Sequence, residues 1–90
     1  MTHEEYEAVY YLAKDRLDKA NAYIRHKGGN IIYQLYDEGD GKFEVRAVRA
    51  YKVKGGVRFR YVHCVLCHVD IYAAYYCACG LEDAASINYL

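Results

Sequence analysis

Ninety residues with twelve basic and twelve acidic side chains amount to one domain without net charge, so no molecule-wide field gathers polyanions and any such binding is local. A chain this short buries only roughly 60–65% of the surface its unfolded form exposes, which excludes a large internal substrate cavity. Leu, Ile, Val and Phe supply 21 residues against 12 Tyr and no Trp. Tyrosine must therefore share the packing, leaving either a core with polar edges or an exposed contact surface.

Thr2-His3-Glu4-Glu5 has capping-box spacing, and Tyr6, Val9, Tyr10, Ala13, Leu17, Ala20 and Ile24 then recur at steps of three and four. The spacing predicts a helix over 3–27, closed by Arg25, His26 and Lys27 in its last turn and by Gly28-Gly29. Asn30 to Tyr36 reads as a strand, and Asp37-Glu38-Gly39-Asp40-Gly41 as a hairpin turn. Phe43, Val45, Ala47, Tyr51 and Val53 fall on one side of a second strand over 42–53. After Lys54-Gly55-Gly56, a third strand places Val57, Phe59, Tyr61, His63 and Val65 on its core side by simple alternation. The opposite face collects Arg46, Lys52, Arg58 and Arg60.

Residues 71–79 carry no charge to mark a wet side. They read as a fourth strand on aromatic content, or as a helix from an Asp70 N-cap to Gly80 on their three alanines, with the strand preferred. Leu81 to Ile87 reads as a short helix with Glu82 and Asp83 in its first turn. The expected fold is a single α+β domain over 1–90: a long N-terminal helix on a three- or four-stranded antiparallel meander, then a short C-terminal helix. That order of elements resembles double-stranded RNA-binding domains, but those present lysines at the start of the final helix, where Leu81, Glu82 and Asp83 would stand here.

Charge is segregated along the chain. Residues 1–40 hold five basic and eight acidic side chains, 41–60 seven and one, and 61–90 none and three. The basic centre is either a nucleic-acid surface or a solvated face neutralised by the acidic helix. Cys64, Cys67, Cys77 and Cys79 could ligate zinc with His63 and His68 as substitutes, but the second pair is separated by one residue and no glycine opens a knuckle at the first. Buried thiols are the simpler expectation, so no cofactor is expected. Cys64 to His68 also matches the attachment pattern of a c-type haem, which belongs to exported proteins. The acidic first residues do not read as a signal peptide, so a reducing cytoplasm is the expected compartment. His63, His68 and Asp70 argue against a membrane span over 61–81.

No nucleophile elbow or phosphate-cradling loop is present, and a Cys-His pair, such as Cys64 with His26 or His63, is the remaining route to catalysis. The sequence therefore points to a binding protein rather than an enzyme. Its expected contact residues are Tyr11, Tyr36, Tyr72 and Tyr76, which leave the core stripes, with the basic residues Arg46, Lys52, Arg58 and Arg60. The expected partner is another protein, a protein complex or a second copy; nucleic acid on the basic sheet face and a structural zinc domain are the alternatives. In being small, neutral and tyrosine-rich the chain resembles phage-encoded inhibitors such as anti-CRISPR proteins, and that resemblance implies blockade of a host defence complex.

Overall fold

The structure, a computed structural model, describes residues 2–88 in the order α1 (His3–His26), β1 (Ile31–Gly39), β2 (Lys42–Val53), β3 (Gly56–Val69) and α2 (Ile71–Asn88). The chain is α+β, with a three-stranded antiparallel meander in the order β1-β2-β3. The Thr2 hydroxyl accepts from the Glu5 backbone N–H at 3.2 Å and starts α1, and Gly28 at φ +81° lies just past its end. Ala13, Leu17, Ala20 and Ile24 form its buried stripe, as the three- and four-residue spacing requires. The β1–β2 reversal is made by Asp40 and Gly41, both at positive φ, which matches the right-handed twist of the strands it joins.

Both helices lie on one face of the sheet. Phe43 and Val45 of β2 meet Ala13 and Leu17 of α1 and Ile71, Ala74 and Ala78 of α2 in the core. Ala74 and Ala78 let α2 sit close, and Phe43 fills the space under the rings of Tyr6 and Tyr10, at centroid distances of 5.7 and 6.1 Å. The two helices are also joined across their seam, where Arg16 Nη1 donates to both Glu82 oxygens at 2.9 and 3.1 Å. Glu82 is thus a buried partner on the fourth turn of a long helix, and not a first-turn residue of a short one.

The expected strand over 71–79 is a helix instead. Asp70 caps it, its carboxylate accepting from the Ala73 backbone N–H at 2.9 Å, and the helix runs through Gly80 to Asn88. An uncharged, alanine-rich segment has no sequence period to reveal its wet side; the cap and the narrow space over Phe43 decide for the helix. No helix among the described residues is long and apolar enough to cross a membrane.

A second correction concerns β3. β2 pairs regularly with β1 from Ile31 opposite Arg49 to Asp37 opposite Phe43. On its other side Val45 faces Leu66, Arg46 faces Cys64, Ala47 faces His63 and Val48 faces Tyr61, so Val65 and Val62 are extra residues in β3. From the turn to Tyr61 the register is unbroken, and its parity is set by the turn: the reversal takes the two residues Lys54 and Gly55, not three, so Gly56 already stands opposite Val53. Val57, Phe59 and Tyr61 therefore stand opposite Lys52, Ala50 and Val48, on the face of the sheet that carries no helix, while Arg58 and Arg60 stand opposite Tyr51 and Arg49 on the other. Every residue from Gly56 to His63 is exposed, and beyond Arg49 the β2–β3 hairpin runs on past the pairing with β1.

Candidate functional site

The sheet face without helices is organised around Arg46. Its Nη2 donates to Glu44 Oε1 at 2.7 Å, and its guanidinium lies 3.9 Å from the centroid of the Tyr36 ring and 5.6 Å from that of Tyr61. The Tyr61 hydroxyl reaches Glu44 Oε2 at 3.3 Å, and its ionisation is pushed upward first by desolvation and then by the Glu44 charge. The Arg46 Nε is buried without an acceptor among the described residues. Arg46 is therefore neutralised by Glu44 and wedged between two rings, which fixes them as a pair of spaced aromatic plates. From there the face continues through Phe59 and Val57, which are 54% and 56% exposed. A depression of about 450 Å³ lined by Arg25, Ile32, Ala50, Lys52, Val57 and Phe59 ends it, with an apolar floor and two cations at its rim.

The other side of the same hairpin is basic. Arg49 and Arg60 face each other directly across the β2–β3 ladder, an arrangement that destabilises a sheet unless an anion sits between the charges. Between Val45 and Val69 the chain contains Arg46, Arg49, Lys52, Lys54, Arg58 and Arg60 and no carboxylate. Among the described residues only Arg46 of these six makes an ion pair. Of the acidic residues of α1, Glu7 pairs with His3 and Asp15 with Lys19 within the helix, and among the described residues none forms an ion pair with the hairpin.

The expected contact residues do not form one surface. Tyr36, Arg46 and Lys52 share the open sheet face; Arg58 and Arg60 lie on its reverse with Arg49. Tyr11, Tyr72 and Tyr76 are exposed on the helical layer, where the ring of Tyr11 packs edge-on against Tyr10 and that of Tyr76 leans on Tyr75. Tyr6, Tyr10 and Tyr33 pack against the core as expected, whereas Tyr51 and Tyr61 are exposed, contrary to their expected core positions. Phe59, Tyr61 and Arg49 are the site residues that alternation hides. Their signal is the interleaved run Arg58-Phe59-Arg60-Tyr61, in which cation and ring alternate along one strand.

The four cysteines do not converge. Cys64 stands opposite Arg46, its thiol pushed up to about 12 by desolvation, by a hydrogen bond with Cys67 and by the Glu44 charge, so it is held protonated. Cys77 and Cys79 sit on α2 about 200° apart around the helix axis, and burial raises the Cys77 thiol as well. No group of three His, Cys, Asp or Glu side chains placed to hold a metal occurs among the described residues. His63 is opposite Ala47, whose side is the helix-covered one, so it does not share a face with Cys64, and no hydrogen bond joins that thiol to His26. His68, at φ +58°, is held by Glu38, which accepts from its backbone N–H at 2.8 Å and lies 3.3 Å from its Nδ1.

No family model, no curated protein and no solved structure matches the chain.

Proposed function

We propose that this protein is a non-catalytic nucleic-acid-binding module whose recognition element is the projecting β2–β3 hairpin. The observation that carries this is the set of five cations, Arg49, Lys52, Lys54, Arg58 and Arg60, none with an ion-pair partner among the described residues, around exposed aromatic rings. Cations placed opposite one another cost stability, and phosphate repays that cost on binding. The double-stranded RNA-binding mode suggested by the order of elements is not the one supported. The final helix starts at Ile71 behind Asp70, so a carboxylate stands where that mode needs lysine.

The test is titration of fluorescein-labelled single-stranded and duplex oligonucleotides at low salt. Binding to at least one, weakening steeply as salt rises, is expected, with the double variant Arg58→Ala/Arg60→Ala reducing the slope of log K against log salt by about 2. Absence of binding to either oligonucleotide at low salt refutes the proposal.

A second role, contact with another protein or a second copy, draws support from Tyr11 and Tyr76, which are 63% and 70% exposed on the helical layer and have no part in the hairpin. Exposed rings of this kind anchor protein interfaces. An inhibitor of the anti-CRISPR kind would act through such a surface, and the support for that assignment is composition alone.

A further inference from the structure

We infer that the ligand of the hairpin is a single-stranded nucleic acid whose bases stack on Tyr61 and Phe59 while its phosphates follow the arginines of β3; this rests on the nucleic-acid function proposed above. Three observations converge. First, the two-residue turn at Lys54-Gly55 sets Val57, Phe59 and Tyr61 on the open face as a row of exposed apolar side chains at every second position, spanning about 13 Å of strand. Rings in such a row offer π-faces to unpaired bases; bases inside a duplex keep their faces to one another. Second, Arg46 and Glu44 hold Tyr36 and Tyr61 on either side of a guanidinium, so two of the rings are fixed before any ligand arrives. Preorganised aromatic plates spend little side-chain entropy on binding.

Third, charge and ring are divided between the two sides of one edge strand. Phe59 and Tyr61 face the open side, and Arg58 and Arg60 leave the reverse side of the same residues' backbone. Because β3 is an edge strand of the sheet, a chain laid along it reaches both: bases over the rings, phosphates around the edge towards the guanidinium groups. The depression at Lys52, Val57 and Phe59 continues the row and offers a further base an apolar floor beside Arg25 and Lys52. An alternative occupant, an acidic protein, would satisfy the arginines but leaves the spacing of rings and cations along one strand without a purpose. A second copy is disfavoured by charge, since pairing β3 with itself sets Arg58 and Arg60 against their own kind.

The experiment is fluorescence anisotropy of a labelled oligothymidine of roughly 15 nucleotides, with the same sequence annealed to its complement and poly-glutamate as competitors. The single strand is expected to bind at least tenfold more tightly than the duplex. Phe59→Ala and Tyr61→Ala are each expected to weaken it about tenfold, and Tyr61→Phe to retain binding, because stacking needs the ring and not the hydroxyl. Both side chains are exposed, so unchanged circular dichroism and thermal midpoints separate lost contact from lost fold. Two results overturn the inference while the nucleic-acid function stands: duplex bound as well as single strand, or alanine variants that bind like the parent. Displacement of the oligonucleotide by poly-glutamate at equal charge assigns the hairpin to an acidic protein and overturns it too; binding of neither strand form removes the function beneath it.

Discussion

Asn21 does a task on β1 that no strand performs. Its Nδ2 donates to the Tyr33 carbonyl at 2.9 Å and its Oδ1 accepts from the Tyr33 N–H at 2.7 Å, so one amide side chain on α1 imitates a neighbouring strand. Tyr33 is also the residue whose ring packs against both halves of the core, and the pair of bonds fixes it there. Asn21→Ala removes both partners from half-buried backbone groups and is expected to lower unfolding free energy by about 1–3 kcal/mol in urea titrations. A loss below a few tenths of a kcal/mol would show that water replaces the amide without cost. The contrast with β3 is instructive, since that edge has no such cover. The fold closes one edge with a side chain and leaves the other, the basic and aromatic one, open.

At the scale of elements, α2 illustrates where sequence patterns stop deciding. Gly80 sits in its interior, away from positive φ, and an added Cβ would meet nothing within 4 Å. Gly80→Ala is therefore expected to raise stability by about 0.5–1 kcal/mol, read as a higher midpoint in thermal unfolding. Were Gly80 a turn after a strand, the same change would lower it. Helix α1 is legible because cap, stripe and terminal glycine agree, and the hairpin turns are legible because Asp40-Gly41 and Lys54-Gly55 carry the residues such turns need. Residues 71–79 are not, because alanine and tyrosine without charge fit either state, and the Asp70 cap with Phe43 beneath them selects one. The open-face aromatics escape notice for a different reason: the face of Phe59 and Tyr61 depends on whether Gly56 belongs to the turn or pairs with Val53, which is a property of pairing with β2 and not of β3 itself. Tyr36 and Tyr76 were legible as surplus to the core; that they lie on different surfaces was not, since α2 and the sheet share no sequence period.

The whole molecule is neutral by cancellation between separate places, with the two helices and the β1–β2 turn of Asp37, Glu38 and Asp40 on the acidic side and the β2–β3 arm on the basic one, and this segregation has an energetic signature. Within the arm the charges repel, most directly at Arg49 opposite Arg60, so the folded state carries a strain that a purely structural hairpin has no reason to keep. Arg60→Glu converts that repulsion into a cross-strand ion pair and is expected to raise stability by about 0.5–1 kcal/mol, or roughly 2–6 °C in thermal midpoint, with the gain shrinking as salt is added. The same change removes one phosphate contact and adds a repelling charge, so its loss of oligonucleotide affinity should exceed that of Arg60→Ala. Stability and binding then move in opposite directions at one position. A variant that gains stability while keeping its affinity would detach Arg60 from the ligand, and one that gains no stability would show that the hairpin already holds its arginines far enough apart to ignore each other.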